Sequence, residues 1–309
     1  MTGEIKSILV TGSSGTIGTR LCETLLQQGY HVVGFDLKHN KWRPDVEKVT
    51  IIGDLRKKHD LEQLKDNFDL IIHLAANARV YHLVKHPSLA KDNFETLFNV
   101  LEFMRARHTE RIVFASSREV YGNSTRIVHN EEESYVKNCE SPYTATKIGG
   151  EALIHSYRQC YGIAFIITRF SNVYGMYDES ERVIPSFIRQ CKVNKDLTIF
   201  GKDKLLDFTF IDDCIAGIQA IVKHFDKIKN NTINIATGKG ISILEIAEII
   251  KKDMNSKSKI HIDESRTGEV IKFIANIDKA KYLVGYEPTI GIEEGIKRAI
   301  AWDLATHQK

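Results

Sequence analysis

Tyr143 and Lys147 stand four residues apart in the segment SPYTATK (141–147). On a helix that spacing stacks the two side chains on one face. A phenol with a pKa of about 10 is a poor base at neutral pH, but a neighbouring cation favours its ionised form. Drawing it down to neutrality takes ~4 kcal/mol of differential stabilisation. A phenolate made this way would take a proton from an alcohol. Tyrosine and lysine at this spacing are common on solvated helices, so the pair needs context. RIVFASSREVYG (111–122) supplies it, as a buried strand ending at Ser116 and Ser117. Strand ends line the ligand crevice of a parallel sheet, and a serine there can share a hydrogen bond with a substrate hydroxyl.

A second constellation lies near the N-terminus. In LVTGSSGTIGTRL (9–21), Gly12, Gly15 and Gly18 fall between an apolar strand and a helix. The first glycine permits a tight turn, the second lets a diphosphate approach the backbone, and the third lets helix and strand pack closely. N–H groups at the helix start, with the positive end of its dipole, then face the anion. Ser14, Thr16 and Ile17 between the glycines are counted with the cofactor-binding residues. Asp36 ends the next strand about 20 residues on, where a carboxylate accepts hydrogen bonds from an adenosine ribose. It also repels a 2′-phosphate, which favours NAD over NADP, although Lys38, His39 and Lys41 follow closely. An oxidised nicotinamide would be the second cation beside Tyr143 and would accept the hydride.

The elements that must position these residues alternate. Apolar, β-rich runs are expected as strands at 7–11, 31–36, 49–52, 70–74, 111–115 and 164–169. Helical periodicity fills 17–28, 88–107 and 143–161. The pattern predicts an α/β fold, a doubly wound parallel (Rossmann) sheet with helices on both faces. After about residue 176 the elements shorten to 183–192, 198–200, 213–224, 242–254 and 292–301. This predicts a smaller mixed α/β lobe for the substrate. The expected division is 1–175 and 176–309, with some later segments returning to the first part.

The totals set limits. A chain of 309 residues with a net charge of +3 does not demand a nucleic acid partner. No run approaches the ~18–20 apolar residues of a membrane span. Cysteines 22, 139, 160, 191 and 214 are odd in number and form no CxxC, so neither a disulfide framework nor a metal site is expected. The opening MTGEIKSILV has no apolar leader segment, and a cytoplasmic location is expected.

The chain resembles the extended short-chain dehydrogenases/reductases of the nucleotide-sugar epimerase/dehydratase type. The likeness rests on TGSSGTIG (11–18), Asp36, GDL (53–55), HLAA (73–76), Asn93, SSREVYG (116–122), SPYTATK, RFSNVYG (169–175), VIPSFI (183–188), DFTFIDD (207–213), RTGEV (266–270) and YEPTIGIEEGI (286–296). The resemblance implies NAD as cofactor and a nucleotide sugar, UDP-linked, as substrate. It implies Ser117, Tyr143 and Lys147 as catalytic residues, with Lys147 also holding the cofactor. Asp54 and Leu55 would meet the adenine edge, and Leu74, Ala75, Ala76 and Asn93 would lie with the cofactor. Asn172 and Arg266 would contact the nucleotide diphosphate. Three positions depart from the family pattern. Leu206 replaces an arginine, a contact that Lys204 or Arg189 could supply. Thr96 and Leu97 replace a glycine–threonine pair, and Ser171 replaces an aromatic residue.

The resemblance leaves three reactions that share oxidation at the sugar C4. Dehydratases carry an acid where this chain has Arg118, which cannot give up a proton near neutrality. Decarboxylases share Glu119, so that reading stays open beside the expected UDP-sugar 4-epimerase. Arg118 facing the pocket could hold a C6 carboxylate, and a salt bridge between Arg118 and Glu119 is the competing expectation. A dinucleotide-binding sensor without turnover is opposed by the complete Ser–Tyr–Lys set. Helices 88–107 and 143–161 carry apolar residues (Leu89, Phe94, Leu97, Leu101; Ile148, Leu153, Tyr157), and the family pairs two such helices across a twofold axis. A homodimer through a four-helix bundle is therefore expected.

Overall fold

Seven parallel strands form the centre of the computed structural model, which describes residues 3–307. The chain begins β1 (Ser7–Thr11), α1 (Thr16–Gln27), β2 (His31–Asp36), α2 (Pro44–Val49), β3 (Thr50–Ile52) and α3 (Lys58–Leu61). It continues through β4 (Leu70–His73), α4 (Val80–Lys85), α5 (Leu89–Arg107), β5 (Arg111–Ser117) and β6 (Val128–His129). Next come α6 (Pro142–Tyr161), β7 (Ala164–Phe170), β8 (Asn172–Tyr174), α7 (Val183–Lys192), β9 (Leu197–Phe200), β10 (Leu205–Phe210) and α8 (Ile211–Ile228). The last stretch holds β11 (Asn231–Ile235), β12 (Gly240–Ser242), α9 (Ile243–Asp253), β13 (Ile260–Asp263), β14 (Lys272–Ala275), α10 (Asp278–Val284) and α11 (Ile292–Thr306).

The large sheet runs β11-β7-β5-β4-β1-β2-β3. Its middle strands are buried on both faces: Ile8, Leu9, Val10, Leu70, Ile71, Ile72, Ile112 and Val113 have no exposed surface. That explains their unbroken apolar runs, since helices cover both sides of a parallel sheet. The strand order reverses between β1 and β4, and ligands bind at such a switch point. A smaller sheet runs β12-β10-β14-β6, with β8 paired to β10, and β13 pairs with β9. The two sheets interleave along the chain. β11 comes from beyond residue 176 yet forms the edge of the large sheet, while β6, well before residue 175, pairs with β14 in the small one.

Local sequence sets the key helix ends. Ser141 caps α6 by accepting the Thr144 N–H at 3.1 Å, Pro142 occupies the first turn, and Gly162 closes the helix at φ +77°. These are the ordinary start and stop signals of a helix. By contrast, α1 begins at Gly15 with no side-chain cap, which leaves its first N–H groups for another acceptor.

The apolar stripe on α5 and α6 divides. Leu97, Leu101 and Tyr157 are buried in the core, whereas Phe94 is 40% exposed and its neighbour Phe98 is 48% exposed. Leu97, the departure from the family pattern, packs on α6: a Cβ on Gly150 would lie 3.2 Å from its Cδ2.

Candidate active site

The glycine turn has the geometry its spacing predicts. Gly12 sits at φ +74°, and a Cβ there would lie 2.8 Å from the Ala75 nitrogen. A Cβ on Gly18 would approach the Gly12 carbonyl oxygen to 2.0 Å, so helix and strand touch through main chain alone. A Cβ on Gly15 would meet only that same oxygen, at 3.3 Å, and otherwise open space. This open, uncapped helix start suits a diphosphate.

Asp36 accepts the Ser14 N–H at 2.9 Å and the Lys38 N–H at 3.0 Å, one on each carboxylate oxygen. Burial raises its pKa and these N–H groups oppose the rise. Each oxygen keeps a lone pair for a ribose hydroxyl. The Ser14 N–H is thus committed to Asp36, and its hydroxyl donates to the Lys38 carbonyl at 2.8 Å. The neighbouring basic side chains are also engaged. Lys41 pairs with Glu179, and His39 meets Glu47 at 2.5 Å. Lys38 stays exposed, so the case for NAD over a 2′-phosphorylated dinucleotide rests on the Asp36 carboxylate and on the pairing of Lys41 and His39.

The loop after β2 is held from two sides. The Asn40 amide donates to the Ser13 carbonyl at 3.3 Å and to Thr19 Oγ1 at 2.8 Å, tying the loop to the glycine turn. Trp42 then packs edge-on against Trp302 of α11, with centroids 5.1 Å apart, and against Tyr177 at 6.2 Å. Tyr177 has φ +64°, and its carbonyl accepts the Thr16 hydroxyl at 3.1 Å. Thr16 and Ile17 thus open α1 beneath a strap of aromatic rings.

Other expected cofactor residues line the same edge. Leu74 and Ala75 are pinned to β1: Leu74 N–H donates to the Thr11 carbonyl at 3.1 Å, and Ala75 N–H reaches Thr11 Oγ1 at 3.4 Å. Ala76 follows in the same turn. Asn93 acts behind them. Its Oδ1 accepts the Asn77 N–H at 2.7 Å, and its Nδ2 donates to the Asn77 carbonyl at 3.2 Å and Thr146 Oγ1 at 3.1 Å. With its amide fully used, it positions the loop. Asp54 carries a fork from Arg56, closest at 2.7 Å, which spacing did not reveal, and the buried Leu55 offers its carbonyl to Asn99 at 2.8 Å.

Ser117, Tyr143 and Lys147 come together where β5 ends against α6. Tyr143 is 6% exposed and Lys147 4%. Lys147 Nζ donates to the Ala115 carbonyl at 2.7 Å and lies 5.7 Å from the centre of the Tyr143 ring. Burial lowers the Lys147 pKa to about 8, with Glu151 opposing the fall. Burial raises the Tyr143 pKa, while the Ser117 hydroxyl and then Arg182 pull it down. Arg182, at the start of α7, is a cation the sequence reading missed, since only the fold brings it near Tyr143. His73 is buried beside them, its Nδ1 2.8 Å from Thr11 Oγ1, and burial holds it neutral with a pKa of about 3.

The substrate-side residues form a buried charge cluster. Arg118 Nη2 pairs with Glu119 Oε1 at 2.8 Å, and Arg118 Nε donates to Asn172 Oδ1 at 3.2 Å. The salt bridge is thus present, and the acid that a dehydratase needs is not at 118. Arg118 Nη1 and Glu119 Oε2 are buried without partners. Burial raises the Glu119 pKa, opposed by Arg118, with Glu269 and Lys204 also acting on it. Asn172 Nδ2 donates to the Asp207 carbonyl at 2.9 Å. Arg266 lies over Phe200 at 3.8 Å and faces Tyr81 at 4.9 Å, so two rings hold its guanidinium.

The departures resolve locally. Leu206 is buried in β10. Lys204, one of the two residues that could make up for the arginine, pairs with Glu269. Arg189 donates to the Ser180 carbonyl but keeps a buried Nη1 without a partner. Ser171 shares a 2.6 Å hydrogen bond with Thr209 in the core. Among the described residues no cluster of three His, Cys, Asp or Glu side chains could hold a metal, and no helix is long and apolar enough to cross a membrane.

The family model described as the NAD-dependent epimerase/dehydratase family matches residues 8–236. A putative UDP-glucose 4-epimerase of Methanocaldococcus jannaschii is 36% identical, covering 96% of this chain and 97% of its own. A UDP-glucuronate 4-epimerase of Thermodesulfobacterium geofontis is 33% identical over 95% of each chain. The solved UDP-glucuronic acid 4-epimerase of Bacillus cereus, in complex with UDP-glucuronic acid and NAD, superposes with a TM-score of 0.89. It is 29% identical, covering 97% of this chain and all of its own. With the family model matched from residue 8 to 236 and relatives more than 30% identical along almost their whole length, the chain belongs to the NAD-dependent epimerase/dehydratase family.

Proposed function

We propose that this protein is an NAD-dependent nucleotide-sugar 4-epimerase acting on a UDP-linked hexose or hexuronate. The observation that carries the reading is the burial of Tyr143 and Lys147 on one face of α6, with Lys147 Nζ anchored 2.7 Å from the Ala115 carbonyl beneath the Ser117 strand end. Ser117 orients the sugar hydroxyl and eases Tyr143 toward its ionised form. Tyr143 removes the hydroxyl proton, and Lys147 supplies the cation that favours phenolate. NAD, when bound, would supply the acceptor and then the donor of the C4 hydride. Tyr143 then gives the proton back once the 4-keto sugar has turned over in the pocket. The glycine turn and Asp36 would hold the dinucleotide. Asn172, Arg266 and the partnerless Nη1 of Arg189 would meet the UDP phosphates. Relatives named for UDP-glucose and UDP-glucuronate 4-epimerisation support the reaction.

Glu119 keeps a second reading, UDP-glucuronate decarboxylation, worth testing in the same assay. Incubation with UDP-, GDP- and dTDP-sugars, with products identified by mass and NMR, decides. A product of unchanged mass supports the epimerase; loss of water or CO2 overturns it. Arg118 keeps one unpartnered donor, so UDP-glucuronate belongs in the panel, with Arg118→Ala as its control. Equal losses on UDP-glucose and UDP-glucuronate would deny Arg118 a carboxylate-binding role. Tyr143→Phe should lower kcat by about a thousandfold while NAD stays bound; unchanged cellular function in that variant would favour a sensor.

The exposed Phe94 and Phe98 on α5 support a homodimer through a four-helix bundle. Phe94→Asp with Phe98→Asp should yield a monomer by light scattering, and a wild type that is already monomeric sinks the idea. Buried free thiols at Cys22, Cys191 and Cys214 support a reducing compartment such as the cytoplasm. Fractionation of cells producing the tagged protein would test that placement.

A further inference from the structure

Tyr143, Lys147 and Glu151 follow one another at four-residue steps along α6, all three buried. Four-residue steps on a helix bring side chains to one side. The Glu151 carboxylate is fully engaged. Oε1 accepts from Ser116 Oγ at 2.5 Å and from Arg169 Nε at 2.9 Å, and Oε2 accepts from Arg169 Nη2 at 2.7 Å. Ser116 lies between Ala115, whose carbonyl receives Lys147, and Ser117, which serves Tyr143. One side chain therefore binds the strand end that receives Lys147 to the helix that carries it. Arg169 anchors this tie further. Its Nη1 donates to the Glu131 carbonyl at 2.6 Å and to Tyr121 OH at 3.2 Å, and that hydroxyl donates to Asn234 Oδ1 at 2.6 Å. β5, α6, β7 and β11 thus meet in one buried network, and sliding α6 along β5 would break it.

We propose that Glu151 is a positioning residue of the active site, fixing α6 against the end of β5 and keeping a carboxylate behind the Lys147 ammonium. The proposal rests on the redox reading above, which needs Lys147 charged. The groups facing Lys147 leave that task to Glu151. On its own helix stand Tyr143 and Glu151. From β4 comes His73, held neutral. From β5 come the Ala115 carbonyl and the Phe114 ring, 5.0 Å away. Arg169 of β7 and Glu131 lie around Glu151, and Arg118, Glu119 and Arg182 act on Tyr143. Burial draws Lys147 down toward neutrality, and Glu151 is the group that resists.

The test compares wild-type holoenzyme with Glu151→Gln and Ser116→Ala. The Lys147 titration is read without substrate, by NMR of isotope-labelled lysine, assigned by the signal lost in Lys147→Arg. In Glu151→Gln it should fall by about one pH unit, a tenfold change in proton affinity. The basic limb of the kcat profile should move with it while KM stays put. Ser116→Ala keeps the carboxylate, so the titration should hold while kcat drops about tenfold through lost alignment. An unmoved titration in Glu151→Gln overturns the charge role, and wild-type kcat in Ser116→Ala overturns the positioning role. Should Glu151→Gln fail to fold with Arg169 left unpaired, adding Arg169→Met removes the stranded charge and the same titration decides. A wild type that turns over no nucleotide sugar counts against the 4-epimerase reading alone, because the titration needs no sugar.

Discussion

At the end of β1 the surface proposed to meet the dinucleotide is main chain. Gly12, Gly15 and Gly18 withdraw their side chains, α1 starts uncapped, and a Cβ on Gly18 would strike a carbonyl at 2.0 Å. Beyond the end of β5 the opposite construction holds. Arg118, Glu119, Lys204 and Glu269 come from three separate segments and are packed as buried or half-buried ion pairs. The first region tolerates changed neighbours but no added carbon. The second depends on every partner being present, because a buried charge left alone cannot recover its lost hydration.

That contrast sets the order of expected effects. Glu119→Ala strands the Arg118 guanidinium and should cost about 4 kcal/mol of stability, read by denaturant unfolding. The double variant Arg118→Met/Glu119→Leu should recover most of it; a double variant as unstable as the single one breaks the comparison. Gly18→Ala should cost about 3 kcal/mol by forced overpacking, and NAD should no longer co-purify. Stable Gly18→Ala protein with bound NAD would show that the turn yields more readily than its geometry implies. The smallest effect belongs to the strap. Trp302→Ala removes the ring against Trp42 and should loosen NAD about fivefold, the worth of one aromatic contact. Calorimetric titration checks this, and an unchanged affinity would confine the strap to structure.

The same contrast explains what could be read from the sequence. β1, β2 and α7 fall where periodicity places them, and α6 starts one residue early because Ser141 and Pro142 form its cap. Gly12, Gly15, Gly18 and Asp36 were legible because a contiguous strand–turn–helix carries its own geometry. Arg182, Arg169 and Glu151 were not, since their roles depend on partners in other elements that only the fold brings near. β10 and β11 also escaped periodicity. Asp207 interrupts the first, buried there to accept the Thr237 and Gly238 N–H groups at 3.0 and 2.8 Å. β6 and β8 span only two and three residues, too short to show a period. Position alone also did not show that the Ser14 N–H bonds Asp36, or that the Asn93 amide bonds Asn77 and Thr146.

Because β6 of the small sheet precedes α6, and β11 closes the large sheet after most of the small one, neither half can be cut out with its own edges intact. Transplanting a C-terminal block between relatives would make both sheets mixed, with a foreign β11 at the edge of the large one and foreign β10, β12 and β14 beside the native β6 and β8 of the small one. Point changes around residues 117–119, 172 and 266, the positions proposed above to meet the substrate, would leave both sheets whole.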